Sequence, residues 1–194
     1  VTEAQRKLDE AKAELVNKAD KKALTDANND LAREVASQAT TADKPQSKVN
    51  AYNEAKKKAE AAKEAAQKVI DNENATPEAV QAEIAKVNEA KDALKKAEAA
   101  VTEAATEAAK TQLREDKAKL DEEVSTEGKT PESIAAYNKA KKAAEADVTA
   151  AKKAAEDVAA KGDDATVVEV QEAQAKVTEA QRKLDEAKAE LVNK

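Results

Sequence analysis

The stretch PEAVQAEIAKVNEAKDALKKAEAAVTEAATEAAKTQLREDKAKLDEEV, residues 77–124, decides the fold. It runs 48 residues with no Gly and with its only Pro at the first position, where the missing N–H costs a helix nothing. At the α-helical rise an unbroken helix of that length would span roughly 72 Å. Its apolar stripe is regular: Val80, Val87, Leu94 and Val101 are seven apart, with Ile84 and Ala97 beside them. Leu113 and Leu120 resume the heptad, with Val124 beside them, but twelve residues after Val101 instead of fourteen. Twelve steps of a helix turn the stripe by about 120°. The spacing predicts one helix, continuous through 100–112, whose first half closes one bundle and whose second half opens the next.

Working outward, breakers cluster at four places. In 38–45 (QATTADKP), Asp43 can cap a helix that has Pro45 near its start. Thr76-Pro77 and Thr130-Pro131 each pair an N-cap with Pro at the first helical position, and Gly128 loosens the second of these turns. In 161–166 (KGDDAT), Gly162 suits a helix C′ position, and Thr166 with Glu169 makes a capping box. The helices expected between these breaks are 1–37, 46–70, 77–124, 131–160 and 166–194. Short loops between long helices make neighbours antiparallel.

The chain also repeats. Residues 1–18 (VTEAQRKLDEAKAELVNK) recur without change as 177–194, so 176 residues form one period with an overlap. Self-similarity at a fixed period marks an array. A diverged symmetry divides the period: Ala51-Tyr52-Asn53 matches Ala136-Tyr137-Asn138, Leu24, Leu31 and Val35 match Leu113, Leu120 and Val124, and Val87 and Leu94 match Val177 and Leu184. The stripe shifts at the other boundary too, since Leu8 and Leu15 are followed by Leu24 and Leu31 nine residues on, a turn of about 180°. The expected architecture is all-α: tandem antiparallel three-helix bundles joined by long continuous helices, a spectrin-like rod. Its parts are residues 1–18 as the trailing helix of a preceding repeat, continuous with the next, then modules at 19–101 and 102–194.

Composition narrows the chemistry. There is no Cys, His, Met, Trp or Phe, and there are two Gly. Zinc and haem sites, Ser–His or Cys–His nucleophiles and Gly-rich phosphate loops therefore lack their parts, and neither an enzyme nor a cofactor is expected. Ala fills 49 positions while Leu, Ile and Val fill 28, so the core is thin. The net charge of −6, with no basic stripe, speaks against nucleic acid, and no apolar run suits membrane insertion. Opposite charges lie four apart, as in Glu3 with Lys7 and Glu54 with Lys58, which supports exposed helix by roughly 0.2–0.5 kcal/mol a pair.

The segments TPESIAAYNKAKKAAEADV (130–148) and DDATVVEVQEAQAKVTEAQRKL (163–184), with looser copies at 47–62 and 74–94, resemble the FIVAR-type repeat of Gram-positive surface proteins. Streptococcal surface repeats of the fibronectin-binding kind look similar. In place of the Trp that such repeats often carry near the TPES start, Ile134 and Val49 fall nearby, with Tyr three residues later. The resemblance implies a secreted, extracellular, cell-wall-anchored adhesin whose repeats project a binding domain or bind host matrix. It supplies no catalytic residues.

The two aromatics, Tyr52 and Tyr137, occupy equivalent slots and are the candidate ligand contacts; as structural residues they would plug one end of each bundle with the hydroxyl at the surface. Lys56-Lys57-Lys58 and Lys139 with Lys141-Lys142 read as solvated faces, and Asp71, Glu73, Asp163 and Asp164 as loop and capping residues, since no calcium-loop spacing occurs. The functional expectation is a monomeric stalk or spacer repeat whose partners are neighbouring repeats of its own chain. A host-matrix-binding repeat, with a ligand such as fibronectin, is the alternative, and a disordered desiccation protectant the second alternative.

Overall fold

The structure, a computed structural model, describes residues 2–13 and 19–194, the Ala13 side chain excepted. Among the described residues seven α-helices follow one another: α1 (Thr2–Ala13), α2 (Lys22–Ala36), α3 (Gln46–Asp71), α4 (Pro77–Glu103), α5 (Glu107–Lys119), α6 (Pro131–Lys161) and α7 (Val167–Lys188), with a short 3₁₀ turn at Gly162–Asp164. Among the described residues the only extended pairings are the bridges Ala104–Thr166 and Lys129–Asn193. The fold is all-α. It divides into two compact units, residues 1–40 with 50–99, and residues 41–49 with 100–194.

In the first unit α2, α3 and α4 pack with alternating direction. Lys21 Nζ donates to the Ile70 and Asn72 carbonyls and Asn28 Nδ2 to the Lys63 carbonyl, so α2 and α3 run antiparallel. Ser37 Oγ donates to Glu98 and Lys91 pairs with Asp30, which sets α4 parallel to α2. The heptad stripe lies inside: Leu24, Leu31, Val80, Val87 and Leu94 are buried, as are Ala59 and Ala66 of α3. Small residues let the helices approach closely but remove little apolar area from water, at roughly 25 cal/mol per Å².

The second unit repeats the plan with α5, α6 and α7. Lys117 pairs with Glu156 and Lys152 with Asp121, so α5 and α6 are antiparallel. Lys183 pairs with Asp147 across α6 and α7, and Gln174 Nε2 donates to Asp116 across α7 and α5. Its core holds Leu113, Leu120, Ala151, Ala155, Val158, Val170, Ala173 and Val177. The caps form as their sequences require. Thr130 Oγ1 accepts from Ser133 N, Thr76 Oγ1 from Ala79 N, and Thr166 and Glu169 close a reciprocal capping box, so free N–H groups at three helix starts are satisfied.

Three helix boundaries differ from expectation. The helix expected over 77–124 is interrupted at Ala104–Thr106, and these residues belong to a clasp within the second unit. Thr106 is extended (φ −70°, ψ 153°) and caps α5 by accepting from Ala109 N. Ala105 N donates to the Ala165 carbonyl at 2.9 Å and Glu107 N to the Asp43 carbonyl at 2.8 Å. Asp43, in the left-handed region at φ 58°, also accepts from Ala108 N through Oδ2 at 2.8 Å. It therefore caps α5 and not the α3 start beside it. Lys44 Nζ takes the Thr102 and Ala104 carbonyls at 3.1 and 2.5 Å, so the last carbonyls of α4 are satisfied as well. The twelve-residue spacing between Val101 and Leu113 thus reflects a break in the helix, and the continuous joining helix of the rod is absent.

The helix expected over 1–37 is likewise not continuous, because residues 19–21 are non-helical and α2 begins at Lys22. Leu15 lies outside the described residues. At the other end α7 stops at Lys188, and Val192–Lys194 leave the helical path to pair with Gly128–Thr130.

Candidate binding cleft of the second unit

The first helices of the two units end differently. Aligned on Leu24 and Leu113, α2 continues past Leu31 to Ala36, whereas α5 ends at Lys119, just before Leu120. The sequence supplies the cause. Where α2 carries Ala32, Arg33 and Glu34, the second unit carries Asp121, Glu122 and Glu123. Three carboxylates at a helix C-terminus face the negative end of its dipole, each unfavourable by roughly 0.3–1 kcal/mol, and Arg33 has the opposite, favourable sign. The chain turns at Leu120 and Asp121 and runs on without helix.

The missing turns leave a cleft of about 510 Å³ between the end of α5, α6 and α7. Leu120, Val124, Tyr137, Val148 and Leu184 give it an apolar lining, while Lys141, Lys142, Lys152, Asp121, Glu122 and Asp185 ring it with both signs of charge. The Lys152–Asp121 ion pair ties the unwound segment to α6 across one side. Gln181 adds a polar group: its Nε2 donates to Asp185 Oδ1 at 2.9 Å, while its buried Oε1 has no partner among the described residues. An apolar pocket with charges on its rim suits a segment with an apolar side chain.

The candidate tyrosines sit in different surroundings. Tyr137 is 5% exposed, lines the cleft, and has the Lys141 ammonium 5.8 Å from its ring centroid, within cation–π reach. Tyr52 is buried to a similar degree, but its hydroxyl donates to the Ser37 carbonyl and accepts from Ala39 N. Instead of standing free at the surface, that hydroxyl holds the chain leaving α2 against α3. Sequence reasoning singled out both rings and missed Gln181, Leu184 and the unwound end of α5; the run Asp121-Glu122-Glu123 was the signal. Lys58 is paired with Glu54 on an exposed helix face. Among the described residues no group of three or more acidic residues is placed to hold a metal ion, and no helix is long and apolar enough to cross a membrane.

Two Ala-rich three-helix units, each with a third helix that starts at a Thr cap, define a class of helical repeat. The FIVAR domain family model matches residues 21–95 and 116–185, and the chain belongs to that family. Among relatives, Extracellular matrix-binding protein EbhB of Staphylococcus aureus (strain N315) is 41% identical over 83 residues, 43% of this chain and 2% of that protein. Extracellular matrix-binding protein ebh of the USA300 strain is 41% identical over the same length, which is 1% of it. The chain therefore matches only 1–2% of the length of these relatives. A solved structure from the characterisation of extracellular matrix binding protein (Embp)-mediated Staphylococcus epidermidis adherence to fibronectin is 28% identical; the match covers 88% of this chain and 99% of that one, with a TM-score of 0.33.

Proposed function

We propose that this chain is a spacer repeat of a bacterial cell-surface adhesin, one of many in tandem that hold a binding domain away from a cell wall to which the parent protein is anchored. The observation that carries this reading is the clasp at Ala104–Thr106. The chain ends one helix and begins another there, yet the N–H groups of Ala105, Glu107 and Ala108 and the carbonyls of Thr102 and Ala104 all find protein partners. A helix boundary whose backbone groups are satisfied in this way resists local opening. The identical ends of the chain fit the same reading, because an array needs its units to be interchangeable. The role is non-catalytic and extracellular.

A second reading is favoured by the cleft beside Tyr137. The relatives bear the name extracellular matrix-binding protein, and a cleft of that size can seat a side chain or two of a host matrix protein. The two readings separate in one assay. Purified chain is passed over immobilised fibronectin and other matrix proteins, with Tyr137→Ala alongside. The spacer reading expects no saturable binding; saturable micromolar binding that Tyr137→Ala weakens supports the second reading.

A further inference from the structure

We infer that Gly128–Ser133 with Val192–Lys194 forms a preformed seat for a following copy of the same module, in which Asn193 is the N-cap of the incoming first helix. This rests on the tandem-array reading above. Two junctions in the second unit carry the inference, because they are built alike. At the first, left-handed Asp43 offers its carbonyl to the N–H of Glu107, the residue after the Thr106 cap, at 2.8 Å. At the second, left-handed Gly128 (φ 74°) offers its carbonyl to Lys194 N, the residue after Asn193, at 2.9 Å.

The register agrees from two directions. Asp43 and Gly128 are 85 residues apart, the offset that also relates Tyr52 to Tyr137. Because 177–194 repeats 1–18, an array that keeps this period would continue after Lys194 as Ala19 onward. Aligning Leu24 on Leu113 then places Asn17, whose copy is Asn193, on Thr106, and Lys18, whose copy is Lys194, on Glu107. Asn is among the best N-cap residues.

The seat is held in place without the incoming helix. Thr130 N donates to the Val192 carbonyl at 2.9 Å, and Ser133 Oγ, which donates to the Thr130 carbonyl at 2.9 Å, lies 3.4 Å from that Val192 oxygen. Lys129 Nζ donates to Asn193 Oδ1 at 2.7 Å, and this oxygen is the atom that a helix N-terminus would claim. The first helix of the described module starts differently, with Asp20 Oδ1 accepting from Lys22 N at 3.0 Å. α5 begins six residues before Leu113, but α2 begins only two before Leu24, after Lys21, whose side chain makes no cap hydrogen bond. The inferred partner is thus a second copy of this chain, and its docking carries the helix start four residues back, to the position of Lys194. The two joints also differ: Gly128 has no carboxylate to repeat the Asp43 bond to Ala108 N, so Asn193 carries the capping alone.

The test extends the chain after Lys194 with a second copy of residues 19–194 and follows backbone chemical shifts and amide exchange by NMR. The expected result is extended shifts at Asn193, helical shifts from Lys194 onward, and protection of the third helical amide. Asn193→Ala speeds exchange at that amide about fivefold, the loss of a typical cap, and Asn193→Asp restores it. Helical shifts running unbroken from Lys188 through Lys194, or coil shifts from Asn193 into the new module, overturn the inference. A failure of the spacer reading shows instead in matrix binding and leaves these shifts unaltered.

Discussion

Asp43 Oδ2 accepts a hydrogen bond from Ala108 N at 2.8 Å, across 65 residues of sequence. A carboxylate in the loop between α2 and α3 thereby closes the start of α5, while its own carbonyl takes the neighbouring amide of Glu107. The bond joins the two features that set this chain apart from one long helix: the left-handed turn at Asp43 and the break at Ala104–Thr106.

Replacing Asp43 separates the cap from the backbone geometry. Asp43→Ala loses the cap, worth about 1 kcal/mol, and places Ala at φ 58°, at a further cost of about 1–2 kcal/mol. Asp43→Gly loses the cap but accepts the positive φ. Urea denaturation followed by circular dichroism is expected to rank wild type above Asp43→Gly and Asp43→Gly above Asp43→Ala. Equal stability of the two variants would mean that the turn carries no strain.

The early end of α5 is a charge effect. Glu122→Arg puts at that position the residue type found at Arg33 of α2. The expected outcome is extension of α5 past Lys119, read as helical Cα shifts at Leu120–Val124, with a gain of roughly 0.5–1 kcal/mol. Unchanged shifts there would assign the break to another cause.

Removing the phenolic hydroxyls discriminates the tyrosines. Tyr52→Phe leaves the Ser37 carbonyl and Ala39 N without their side-chain partner and costs about 1 kcal/mol in denaturant unfolding. Tyr137→Phe keeps the ring on the cleft wall and the cation–π contact with Lys141, and costs less than about half as much. The reverse order would contradict the roles given to the two rings.

What the sequence disclosed is what local physics decides. Thr76, Thr130 and Thr166 cap the helices that begin beside them, and Val80, Val87, Leu94 and Val101 are buried at the spacing of seven. Pairing at a distance was not legible. Ala104-Ala105-Thr106 is a strong helix sequence but for its Thr, and it leaves the helix because Asp43 and Ala165 supply partners from far along the chain. The cleft depends on the absence of two helical turns. Its sequence signal, three adjacent carboxylates, becomes readable only against the matching positions in the first unit.

Acid acts with opposite sign at two carboxyls. The Glu34 carboxyl, hydrogen-bonded to Glu98, partly desolvated and repelled by its charge, is raised above the ordinary glutamate value. The folded state therefore holds that proton more tightly, and the repulsion present at neutral pH is relieved as pH falls through the raised value. Asp164 is lowered by its hydrogen bond and ion pair with Lys48, so its contribution is present above the ordinary aspartate value and lost as pH falls through the lowered one. Glu34→Gln is expected to raise stability at pH 7 by at most roughly half a kcal/mol, given solvent screening. It should also remove the stability gain on mild acidification, measured by denaturant midpoints from pH 7 to pH 4. An unchanged pH profile would remove Glu34 from the account.

The most direct test of the spacer reading is a surface plasmon resonance titration of purified chain over immobilised fibronectin and other host matrix proteins. The account predicts a response that rises linearly with concentration through the micromolar range, without saturation. A saturable response that Tyr137→Ala abolishes and Tyr52→Phe leaves intact would contradict it and make the cleft of the second unit the working part of the repeat.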